Sequence, residues 1–178
     1  MQITIKKQEV DFAGADLGEK CFEPLIKLYK KKVAEQTDFN QIKEQFYKEL
    51  SEGQRALFMF YVYYNHVSKS LIEFYWWSAY LRAQPNSWSA IKAGFKYFKD
   101  DTMHSLLEKI ELELKRHHYP ETLETFSIKR EDLDQNKVLL ASITTLYSLF
   151  EQTSPLSIKK INTCIAKNLH EFVSIIEE

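Results

Sequence analysis

Between Gln54 and Arg82 the chain reads QRALFMFYVYYNHVSKSLIEFYWWSAYLR, with apolar positions on every side of a helical projection and no Gly or Pro. A helix that is apolar all round is a buried one, so this stretch predicts a single central helix over about residues 54–82. Elsewhere the apolar residues recur at three and four positions and leave a polar face. Phe22, Leu25, Ile26, Tyr29 and Val33 predict a helix from Cys21, with Pro24 in its first turn. Phe39, Ile42, Phe46, Tyr47 and Leu50 predict a second, capped by Asp38 or Asn40. Ser51 and Gln54 have the spacing of a capping box, which starts a new helix with Gly53 in its first turn and leads it into the central stretch.

Past that stretch, AQPNS at 83–87 predicts a turn, because Pro85 disfavours helix at Gln84 and Asn86 or Ser87 can cap the next helix. Trp88, Ile91, Phe95 and Phe98 mark that helix as short and amphipathic. Asp100 and Asp101 open another, through Met103, Leu106, Leu107, Ile110 and Leu114, with Leu112 off the stripe. Residues 121–131 read equally as a short helix or a loop. A long helix begins around Asp132 to Asp134 and carries Leu139, Leu146 and Phe150. Ser154 with Pro155, or else Ser157, opens a last helix whose apolar side includes Ile161, Ile165, Leu169, Phe172 and Ile176. Residues 1–20 are either an extended arm or a short strand around Ile3 and Ile5. The expectation is an all-α fold, with one helical domain over 1–178 and six to eight helices in a bundle or orthogonal array around the central one.

Composition narrows the function classes. Only 4 Gly and 4 Pro among 178 residues are too few for the turns of an all-β domain. A net charge of -1 supplies no field that would gather nucleic acid or an anionic membrane. The longest apolar run, Ala56 to Tyr64, is less than half of the roughly 20 residues a membrane span needs. The start of the chain, MQITIKKQEVDF, lacks the apolar region of a signal peptide. Cys21 and Cys164 have no zinc-binding spacing and read as free buried thiols in a reducing cytoplasm, the alternative being a disulfide between the two ends.

One stripe could carry chemistry. On a helix, His66, Lys69, Ser70, Glu73 and Trp77 share a face, with Tyr63 nearby. An acid and a base set in an apolar helix have shifted pKa values open to them. Yet His66 and Glu73 lie two turns apart, about 10 Å along a continuous helix, which is too far for a shared metal. A polar network bonded to neighbouring helices explains the same residues. Likewise His104, His117 and His118 read as helix-end and solvent-facing groups rather than metal ligands, and the rings at Phe74 to Trp77 as core. No phosphate loop, nucleophile elbow or metal motif is present, so no cofactor and no metal are expected.

The segments LSEGQRALF, FYWWSA, PNSWSAIKAGFKYFKDD and LLEKIELEL, in that order from Leu50 to about Leu114, resemble a bacterial helical domain family of unknown function that includes DNA-mimic proteins. That resemblance implies an all-α protein that acts by binding another protein, and it supplies no catalytic residues.

The leading expectation is a non-enzymatic cytoplasmic protein that works through a protein partner or self-association as a dimer, with neither membrane nor nucleic acid as its target. The alternative is a small-molecule or metal-binding helical bundle, enzymatic in its stronger form, with a site along His66, Lys69 and Glu73. It would need a cavity beside that stripe, lined also from the helix at 132–152.

Overall fold

The computed structural model describes residues 1–9, 11–12, 14–35 and 39–177. Among them are eight α-helices and one pair of short strands: β1 (Thr4–Lys6), α1 (Leu17–Ala34), α2 (Phe39–Glu49), α3 (Glu52–Val67), α4 (Leu71–Ala83), α5 (Ser87–Tyr97), α6 (Asp101–Arg116), α7 (Asp132–Gln135), α8 (Lys137–Lys167) and β2 (Ser174–Ile176). The fold is all-α, as the periodicity predicts. Asp38, one expected cap of α2, lies outside the described residues, as do the side chains of Phe39 and Asn40.

The central stretch is not one helix but two. α3 opens with the expected capping box: Ser51 Oγ accepts from the Gln54 N–H, and Gln54 Oε1 accepts from the Ser51 N–H, each at 3.1 Å. It ends at Val67, where the Ser68 N–H still reaches Tyr64 O. Ser70 then turns to extended backbone (φ -170°, ψ 166°) and its Oγ accepts from the Glu73 N–H, which starts α4. Apolar spacing runs through the break unaltered. Ser-Lys-Ser, however, offers the backbone a side-chain cap in place of helical bonds, and that alternative wins here.

The opposite correction applies to α8. The two helices expected from Asp132 and from Ser154 or Ser157 are one helix of 31 residues with Pro155 inside it, preceded by the single turn α7. Asn136 caps α8, its Oδ1 accepting from the Leu139 N–H. Pro155 removes one helical donor. The buried stripe nevertheless continues unbroken through Leu139, Ile143, Leu146, Phe150, Ser154, Ser157, Ile161 and Ile165. Packing of that stripe outweighs one missing bond.

Both ends of the chain also differ from expectation. α1 begins at Leu17, so Pro24 lies inside the helix rather than in its first turn. Gly18, expected in an arm, sits in α1 where a Cβ would fall 2.9 Å from Tyr61 Oη and from Asn162 Oδ1. Of the two readings for residues 1–20, the strand is found. β1 pairs in parallel with β2, Ile5 opposite Ile175. The last helix therefore stops short of Leu169, Phe172 and Ile176: the Asn168 N–H closes α8 on Cys164 O and Ile165 O, and β-branched Ile175 and Ile176 join the free edge of β1.

One apolar cluster, from Ile3 to Val173, joins these elements. α3 lies at its centre. α5 approaches α3 at Gly94, where a Cβ would sit 3.2 Å from the Ala56 carbonyl oxygen. The turn at 83–87 forms as expected, with Asn86 left-handed (φ 62°). The apolar stripe of α6 is buried and Leu112 is exposed, again as expected. Residues 121–131 are a loop with a single 3-10 turn at Leu123–Thr125. Among the described residues no helix is long and apolar enough to cross a membrane.

Candidate functional site

The break between α3 and α4 folds the nominated residues toward each other rather than separating them. His66, in the last turn of α3, stacks on Trp77 of α4 with ring centroids 3.6 Å apart and planes 21° from parallel. Trp77 Nε1 donates to Glu73 Oε2 at 2.8 Å. The other side of Glu73 is taken by a residue from the 121–131 loop: Arg130 Nε donates to Oε1 at 2.6 Å and its second nitrogen to Oε2 at 3.0 Å. Both carboxylate oxygens are thus occupied. Lys69 is exposed in the link between the helices, and Ser70 serves as the cap of α4.

Tyr63 does not belong to this group. It is buried, and its hydroxyl pairs with Ser78 Oγ at 3.0 Å inside the core. Its phenol is raised by that burial.

Electrostatics reflect these contacts. The Arg130 hydrogen bonds hold the Glu73 carboxyl below its ordinary range, and Trp77 adds to this. Burial lowers His66; Lys69 pushes the same way and Glu73 opposes. At neutral pH the His66 imidazole is therefore neutral and the Glu73 carboxylate ionised. A carboxylate gripped by a guanidinium is a poor base, because the ion pair favours its charged form.

The stronger feature of this face was only partly visible in the sequence. Trp76 stacks on Tyr80 at 5.1 Å with planes 9° apart, and Phe126 from the loop meets both rings edge-on at 5.9 and 5.5 Å. Trp77 stands perpendicular to Trp76 and Tyr80, at 5.0 and 5.5 Å. The Arg130 guanidinium lies 4.3 Å from the Trp76 ring centroid. Trp76, Trp77, Tyr80 and Phe126 are each half-buried, and Ile72 beside them is exposed. The core reading holds for Phe74 and Tyr75, which are fully buried, and not for the two tryptophans. Spacing of four between Ile72, Trp76 and Tyr80 was the available signal. Phe126 and Arg130 carried none, because they come from the loop.

Two grooves open elsewhere on the molecule, and neither is lined by residues of this face. One, of about 570 Å³, lies between α8 and the α5–α6 link; the other, of about 590 Å³, adjoins it along α8, sharing Lys159, Thr163 and Lys167, and is bounded also by Phe12, Gly14 and Ala15. Arg130, which reaches Glu73, precedes α8 and is not part of that helix. Cys21 and Cys164 are free rather than bridged; Cys21 is buried, its thiol pushed up to about 12, whereas Cys164 is half-exposed. Among the described residues no group of three or more His, Cys, Asp or Glu is placed to hold a metal ion.

Comparison with family models, curated proteins and solved structures found no match to this chain.

Proposed function

We propose that this chain is a non-enzymatic, cytoplasmic interaction protein whose working surface is the outward side of α4 with the 126–130 loop. The observation that supports this most is the state of the ring cluster. The indole N–H groups of Trp76 and Trp77 are both satisfied internally, by Ile128 O and Glu73, so polar demand is met from within and half-exposed ring surface faces out. Aromatic rings braced in this way, with an arginine among them, are what protein interfaces use as anchors, since little side-chain entropy remains to be lost on binding. The residues nominated for chemistry then acquire a different role. His66 and Glu73 brace Trp77, and Arg130 braces Trp76 and pins the loop that brings Phe126.

A ligand site along His66, Lys69 and Glu73 draws less support, because both Glu73 oxygens already accept from Arg130 and Trp77. The test pairs wild type with a variant carrying Ile72→Glu and Tyr80→Ala, which places a charge and a gap on the surface and leaves the Glu73 contacts intact. Sedimentation velocity reads self-association, and affinity capture with quantitative mass spectrometry reads a partner. The proposal expects one of the two in wild type and its loss in a variant whose circular dichroism shows the helices still formed. A wild type that neither self-associates nor captures anything the variant does not would overturn it.

A further inference from the structure

We infer that the groove between α8 and the α5–α6 link is a second docking surface, which receives an acidic amphipathic helix of a partner protein. Its floor is apolar, formed by Tyr97, Phe98 and the outward side chain of Leu156, which is 61% exposed. Its rim is basic. Lys99 stands on the link, and Lys159 and Lys167 stand on α8; among the described residues none of the three makes an ion pair. Lys160 is also on the rim but is committed to Asp100, at 2.6 Å. Asp100 is itself 2% exposed and so adds no free negative charge. In a chain of net charge -1 this is a local concentration of unneutralised cations over an apolar trough.

Charge and spacing together select the occupant. Lys159 and Lys167 are eight residues apart on one helix, about 12 Å along its axis. Carboxylates on a second helix lying alongside recur at that interval when they occupy positions i, i+4 and i+8, and apolar residues between them then face Leu156 and Phe98. A nucleic-acid strand suits the groove less well. Tyr97 meets Phe98 edge-on at 5.3 Å and Phe172 at 6.3 Å, so its ring is engaged in the core and is not a free platform for a base. Lys99 and Lys167 both favour the Cys164 thiolate, but burial prevails and raises that thiol, which leaves Cys164 a wall residue and not a nucleophile.

The test is fluorescence polarisation with the full chain and a labelled helix-forming peptide of about 16 residues, Glu at every fourth position and Leu on the adjoining face. Controls are the same peptide with each Glu replaced by Lys, and a labelled single-stranded DNA. Wild type should bind the acidic peptide, more weakly as salt rises, and should not bind the basic one. Lys159→Glu with Lys167→Glu should weaken binding at least about tenfold with circular dichroism unchanged. Leu156→Ser should weaken it through the floor. The α4 variant Ile72→Glu with Tyr80→Ala should bind as wild type does, which separates this surface from the first. Absence of binding by wild type, equal binding by the lysine variant, or tighter binding of DNA lost in that same variant would each overturn the inference.

Discussion

Glu73 and Asp100 are two carboxylates with the same kind of partners and opposite circumstances. Each stands at the start of a helix and reaches a partner 57 positions further along the chain, Arg130 for Glu73 and Ser157 for Asp100. Each also holds a cation. The Glu73 side chain is 23% exposed and Arg130 41%, so water shares the work of stabilising both charges. Asp100 is 2% exposed and relies on Ser157 and Lys160 for what solvent no longer supplies. The same chemistry is therefore a structural fastener at Asp100, joining α6 to α8. At Glu73 it is an adjustable clasp on the surface that we assign to binding.

The sharpest way to break this contrast is Lys160→Met. It leaves a buried carboxylate with a hydroxyl as its remaining side-chain partner and should lower stability by about 3 kcal/mol, the low end for such a loss because Lys160 is itself well exposed. Thermal denaturation should register this as a fall in melting temperature. A change below about 1 kcal/mol would put Asp100 in the same class as Glu73. Next in size is Ser70→Ala, which deletes the cap that starts α4 and should cost about 1 kcal/mol in urea unfolding. No effect would mean that packing alone sets the break.

Arg130→Gln should change global stability by less than about 1 kcal/mol. Amide hydrogen exchange should nevertheless rise across 126–131 while the Ser157 region stays protected. Uniform protection would show that the loop is held without its arginine.

The smallest expected signal is a titration. The folded state holds His66 below its ordinary 6.5, so between 6.5 and that lower value the unfolded chain carries more protons. The stabilising share of His66 is full above pH 6.5 and declines as pH falls through the folded value. Because the ring stacks on Trp77, its protonation should quench part of the tryptophan fluorescence, and His66→Gln should abolish that step. A midpoint above 6.5 would contradict the burial described for His66. The Glu73 contribution disappears in a separate, more acidic window below 4.5, because Arg130 lowers that carboxyl.

The range of each interaction decides whether the sequence reveals or conceals it. The Ser51–Gln54 box, the 83–87 turn and the buried stripe of α6 depend on neighbours within four residues, and all are found where periodicity puts them. The α3–α4 break and the continuity of α8 reverse expectation for one reason: apolar spacing reports which face is buried, while Ser68, Ser70, Ser154 and Pro155 can each either end a helix or be carried along in one. At Ser70 the side chain caps the next helix; at Ser154 it bonds back to Phe150 O and the helix proceeds. Of the candidate stripe, His66, Glu73 and Trp77 meet one another, while Lys69 is exposed in the link, Ser70 is a cap and Tyr63 lies in the core. Arg130 and Phe126 were not legible, because long-range contacts leave no local period.

The pairing of β1 with β2 also determines how the molecule would answer a mechanical load. The strands are parallel, and the chain enters below Thr4 and leaves above Ile176, at opposite ends of the pair. Tension drawn through the flanking chain would slide the strands past each other along their length. Their hydrogen bonds would share the force and fail together, where an antiparallel hairpin pulled at its open end would unzip one bond at a time. A pair of three-residue strands thus acts as a shear clamp, backed by the bonds that tie Met1 to Glu49 and Gln54.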